Sequence, residues 1–117
     1  MTLPTLASAE LSDEKPTPLY RYTLHREWQT GLPFVAWILL NPSTATGEID
    51  DPTVIKCREF AKRWHFGGMI MLNLFAWRAT KPEKLLTADN PVGPLNDAWI
   101  TDVLNDRRIT ALVCGWG

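Results

Sequence analysis

Residues 34–75 read FVAWILLNPSTATGEIDDPTVIKCREFAKRWHFGGMIMLNLF, and this stretch decides the fold. Phe34 to Leu40 is an unbroken apolar run. The lack of alternation implies a strand covered on both faces, as in the centre of an α/β sheet. A polar loop, Asn41 to Asp51, follows it. Asp51 then reads as a helix cap, and Pro52 suits the first helical position because its missing N–H would have no partner there anyway. Val54, Cys57, Ala61 and Trp64, with Phe60 beside them, recur at helical spacing and form one apolar face. Gly67-Gly68 is the expected stop, and Met69 to Phe75 is a second buried strand. A strand, a helix and a strand in this order predict parallel pairing through a right-handed crossover.

Working outward, Leu19 to Trp28 (LYRYTLHREW) alternates like a strand, and residues 29–33 (QTGLP) read as a turn. This predicts an antiparallel pair with Phe34–Leu40, joined at Gly31. On the other side, a long connection leads past Pro94 to a helix bearing Trp99, Ile100, Val103 and Leu104 on one face. Thr110 to Cys114 is a third apolar run. The fold class expected is α/β, a three-layer sandwich with a mostly parallel central sheet. Residues 19–117 form a single domain, since 117 residues leave no room for a second. Residues 1–18 hold three prolines and no apolar period, and read as a flexible arm. The last residues, Gly115-Trp116-Gly117, directly follow what reads as a central strand, so the domain is expected to be incomplete at its C-terminus.

The apolar fraction of 45% and charged fraction of 21% are those of an ordinary globular protein. No apolar run reaches the roughly 18 residues that span a bilayer, and the polar, acidic N-terminus lacks a secretory pattern. A cytoplasmic location with no membrane partner is therefore expected. Cys57 and Cys114 have no ligand spacing and read as two buried reduced thiols; no metal and no cofactor is expected. Net charge is −1, yet residues 1–55 balance at −4 and residues 56–84 at +5. That basic middle suits a phosphate partner, or it is one solvated helix face, the preferred reading for Lys56, Lys62 and Arg63.

In an open parallel sheet, ligands bind beyond the carboxyl ends of the strands. Two of those ends begin with an asparagine, Asn41 and Asn73. An amide offers both an acceptor and a donor, and so can read the edge of a nucleobase. Pro42 fixes the exit of the chain and holds Asn41 extended. Ser43, Thr44 and Thr46 offer hydroxyls and backbone N–H groups for a phosphate or a polarised carbonyl; an Asx or Ser/Thr turn explains them equally well. Asn73, inside MIMLNLF, must bond neighbouring backbone or face a site, because an unpartnered buried amide costs about 1–3 kcal/mol. Beyond it, Trp77 can stack a base, although packing is the commoner role for the six tryptophans. Arg78 can clamp an anion or pair with Glu83. Asp50 and Asp51 are candidate bases, with Asp51 more economically a cap, and Asn96 and Asp97 read as caps as well, with reach into the site as the lesser alternative. His25 and His65 lack a ligand partner and are not assigned a role.

WILLNPSTATGEIDDPT (37–53), CREFAKRWHFGGMIMLNLFAWRATKPEKL (57–85) and NPVGPLNDAWI (90–100) resemble a family of bacterial and phage proteins, domain of unknown function 1643, over residues 19–117. More distantly, Leu40-Asn41-Pro42-Ser43 is similar to the first motif of mismatch-specific uracil-DNA glycosylases, and Met71-Leu72-Asn73-Leu74 to their uracil-reading strand. That resemblance implies a uracil-DNA-glycosylase-like fold. Asn41, with Ser43 beside it, would orient water. Asn73 would read the base, supported by Pro42, Thr44 and Arg78, and Phe75 or Trp77 would stack. Those glycosylases also use a late His-Pro motif that has no counterpart here. Asn41 is a neutral amide and cannot be a general base, so catalysis would take a dissociative route with dipoles stabilising the departing base.

The function expected is recognition or processing of a nucleobase, a nucleotide or a base in DNA. The alternative is a non-catalytic module that binds nucleic acid or protein through Arg78, Lys81 and Lys84. A hydrolase using Ser43 or Thr44 as nucleophile ranks last, because neither has a His/Asp partner. Oligomeric state is not legible.

Overall fold

The computed structural model describes residues 6–15, 18–42, 45–47, 49–78 and 87–116. Five strands and two helices occur among them: β1 (Leu6–Leu11), β2 (Arg21–Glu27), β3 (Phe34–Leu39), α1 (Pro52–Arg63), β4 (Gly68–Asn73), α2 (Asn96–Leu104) and β5 (Ile109–Gly115). The strands form one sheet in the order β1-β2-β4-β3-β5. Val54, Cys57 and Ala61 of α1 pack on one face of it, against Leu24, Val35, Trp37, Met69 and Met71. Val103 and Ile100 of α2 pack on the other, against Phe34, Ala36, Ile38, Ile70 and Leu72. The expected three layers are present. Each fully buried side chain of this kind contributes about 1.5–3 kcal/mol relative to exposure.

β4, β3 and β5 run parallel, as the strand and helix order implied. The sheet as a whole is mixed, however, because β1 and β2 enter antiparallel. The predicted β2–β3 hairpin does not form: β4 lies between them. The cause is local. Gly67 accepts from both Trp28 N and Gln29 N and donates to Pro33 O, so the start of β4 occupies the mouth of the 29–33 turn. A Cβ on Gly67 would sit 2.2 Å from Gln29 O, and one on Gly68 2.5 Å from the Phe34 ring. These glycines permit close passage and do not end the helix. α1 stops earlier, with Trp64 as C-cap and His65 at φ 66° taking the left-handed position usually given to glycine.

Three further expectations are corrected. Residues 6–11, read as part of a loose arm, form β1 and pair with β2 along its length. β5 is an edge strand with alternating burial, which leaves Cys114 exposed; only Cys57 is buried. Burial pushes the Cys57 thiol up to about 11, so it is inert at neutral pH. Trp64 and Phe60 complete the apolar face of α1 but are 47% and 39% exposed, stacked in series on Trp37. Lys56, Lys62 and Arg63 lie on the exposed side of α1, as expected. Among the described residues no helix is long and apolar enough to cross a membrane.

Candidate functional site

β3 and β4 end side by side. Leu39 pairs with Asn73, and parallel bonding continues one step further, with Leu74 N donating to Leu39 O and Phe75 N to Leu40 O, both at 3.0 Å. Asn73 alternates with Met69 and Met71, so its side chain turns to the α1 face. It is 1% exposed, and among the described residues neither Nδ2 nor Oδ1 has a hydrogen-bond partner. Native proteins satisfy nearly all buried polar groups. An amide with both ends unpaired in this position is therefore an unmet demand for a donor and an acceptor.

The loop after β3 is anchored by acids. Asp51 caps α1 through Oδ1, which accepts from Val54 N at 2.9 Å, while Oδ2 accepts from Ala45 N at 3.3 Å. It is a cap, as one of the two sequence readings had it, and it ties the loop down as well. Asp51→Ala is expected to lower stability, in urea unfolding, by more than the ~1–2 kcal/mol of a cap alone, because the loop tether is lost too. A loss below 1 kcal/mol would show the tether to be unimportant.

Asp50 binds Arg26 and Arg58, and Arg26 Nη2 also donates to Thr46 O at 2.7 Å, which links β2, the loop and α1. Burial opposes ionisation of Asp50, but hydrogen bonds from Arg58 and Arg26 outweigh it and hold the carboxyl below its usual 3.8. A folded-state pKa below the unfolded one stabilises above the unfolded value, and that contribution is lost as pH falls through the folded pKa. Stability is therefore expected to fall on acidification below about pH 4, and Asp50→Asn to flatten that fall. Identical acid profiles for the two proteins would contradict the assignment.

Arg21 was not foreseen. In β1–β2 pairing Glu10 faces Thr23 and Leu11 faces Arg21, leaving Tyr22 without a counterpart. This one-residue bulge breaks the alternation of LYRYTLHREW. Arg21 consequently turns to the α1 face, where its Nη1 donates to Ala45 O at 2.9 Å. Strict alternation with Leu24 would have put it on the other face, so only the bulge reveals it. Burial, partly offset by Asp51 and reinforced by Arg78 and Arg26, pushes its pKa down to about 10, and it stays charged at neutral pH.

The other predicted residues divide. Asn41 Nδ2 donates to Pro42 O at 3.0 Å, and Pro42 is buried. Phe75 is half-buried beside the end of β3. Trp77 packs edge-on against Tyr20, ring centroids 5.6 Å apart. Arg78 Nη1 donates to Pro18 O at 3.2 Å. Trp77 and Arg78 thus engage the approach to β2. Ser43, Thr44, Thr80, Lys81, Glu83 and Lys84 lie outside the described residues. Asn96 makes no side-chain cap; its Nδ2 donates to Asn73 O at 2.8 Å and to Leu74 O at 3.3 Å, clamping α2 to the end of β4. His25 sits on the α2 face in a cleft of about 220 Å³ with Glu10, Asp102 and Asp106. Burial and then Arg108 lower its pKa, so it is neutral at pH 7. Among the described residues no group of three or more His, Cys, Asp or Glu could hold a metal ion.

A family model described as protein of unknown function (DUF1643) matches residues 21–117. No curated protein and no solved structure matches the chain.

Proposed function

We propose that this chain, which belongs to the family described as protein of unknown function (DUF1643), recognises a nucleobase, either in a nucleotide or in DNA, through a uracil-DNA-glycosylase-like site at the carboxyl ends of β3 and β4. The observation that carries the reading is Asn73, buried with both ends of its amide unpaired among the described residues. Uracil presents an N–H flanked by carbonyl oxygens. Asn73 Oδ1 would accept from that N–H while Nδ2 donates to a neighbouring carbonyl, which satisfies both orphaned atoms at once. Reading of this kind requires the base to leave its stack, and Phe75, whose backbone bonds the end of β3, would cover one of its faces.

Any hydrolysis would place Asn41 and Ser43 at the water. With a neutral amide in place of a base, bond breaking would lead and dipoles would hold the departing base. Asp51 does not fill the missing role, because both its oxygens accept backbone N–H bonds.

Calorimetric titration with free uracil and with uracil-containing single-stranded DNA tests the proposal. Binding is expected for the native protein and is expected to vanish in Asn73→Ala. Equal affinity in the two proteins would reject the role of Asn73, and no binding of either probe would reject the nucleobase reading.

A further inference from the structure

Arg21 carries a charge that the described residues do not neutralise. It is 3% exposed. Ion pairs form at Arg26, Arg58 and Arg108, but none forms at Arg21 among the described residues. Among the described residues the hydrogen bond of its side chain runs from Nη1 to the neutral carbonyl of Ala45, and Nε is buried without a partner. Asp51 is near enough to act on it electrostatically, yet its carboxylate oxygens are committed to Ala45 N and Val54 N. Arg26 and Arg78 add like charge. Taking a guanidinium out of water is expensive, and one carbonyl does not compensate it.

Position matters as much as charge. Arg21 N donates to Ala76 O, which sets the residue beside the chain that continues from β4, three residues beyond Asn73. The bulge at Tyr22 turns it to the same face as Asn73, under the loop that follows β3. A planar fork with unused donors is the arrangement that grips an oxyanion.

We infer that Arg21 is an anion-binding residue, and that it receives a phosphate group of the ligand whose base meets Asn73. That the anion belongs to a nucleotide or to DNA rests on the nucleobase reading; the anion subsite itself does not. Arg21 therefore makes the site select phosphorylated ligands over free bases.

The test follows the arginine Nε–Hε resonances of the native protein by NMR during titration with inorganic phosphate, with the Arg21 resonance assigned through its side-chain connectivity to the backbone. A saturable shift of the Arg21 resonance is expected, and it should persist in Asn73→Leu, where base reading is removed. In a second arm, uridine monophosphate should bind about ten- to hundredfold more tightly than uridine, the value of one or two charge-assisted hydrogen bonds, and Arg21→Gln should erase that preference. The native-protein arm is independent of whether the variant folds. An Arg21 resonance that does not respond to phosphate would overturn the anion subsite while leaving nucleobase recognition standing. A phosphate response with no preference for the nucleotide would overturn the assignment of the anion to the base-bearing ligand. Loss of the response in Asn73→Leu would overturn the independence of the two subsites.

Discussion

Replacing Asn73 by leucine is expected to make the protein more stable and to abolish base binding. Leucine keeps the branching of asparagine but carries bulkier methyl ends, and the cost of fitting them offsets part of the gain. What disappears is the desolvation of two unpartnered polar atoms, each worth about 1–3 kcal/mol. A net gain of about 2 kcal/mol and a rise in Tm of roughly 8 °C are expected by calorimetry. The same change removes the only group proposed to read the base edge, and binding should weaken by at least about a hundredfold. A residue kept for packing or for local hydrogen bonding behaves in the opposite way: its loss destabilises, and ligand binding survives. The paired outcome is the signature of a site that holds strain for the sake of its ligand.

Gly67→Ala is expected to be the most damaging single substitution at the sheet. Its Cβ would fall 2.2 Å from Gln29 O and 2.8 Å from Leu32 Cβ, and the first of these is backbone that cannot rotate away. Relief requires the start of β4 to move out of the 29–33 turn, which breaks the bonds to Trp28 N, Gln29 N and Pro33 O together. A loss of about 3 kcal/mol or more is expected in urea unfolding. Gly31→Ala makes a useful control: φ is +92° there, but a Cβ meets nothing within 4 Å. It should lose only the roughly 1 kcal/mol of an unfavourable backbone region. Comparable losses in the two variants would remove the close-approach argument.

What could be read from residues alone follows from where the information lies. The buried strands β3 and β4 and the cap at Asp51 are local patterns, and the structure has them where the apolar runs and the Asp-Pro pair put them. The insertion of β4 between β2 and β3 depends on how closely Gly67 passes Gln29, and nothing in the turn itself announces that contact. Leu19 to Trp28 read as simple alternation because a bulge depends on the partner strand, here Leu11 facing Arg21. Arg21 was therefore hidden. The roles of Asn96 and Asp51 were half legible: both sit at helix starts, but the bonds of Asn96 to Asn73 O and Leu74 O, and of Asp51 to Ala45 N, reach elements distant in sequence. Asn73 stood out because an amide in a greasy strand is anomalous in any fold.

The central claim is that the Asn73 amide is held unpaired for a ligand, and its own side-chain NH₂ group reports on that most directly. Uracil added to ¹⁵N-labelled protein should move the Nδ2–H resonances saturably, the hydrogen that donates to the base taking the downfield displacement of a new hydrogen bond. Resonances already displaced downfield in the free protein and indifferent to uracil would mean the amide has a permanent partner, and the claim would be wrong.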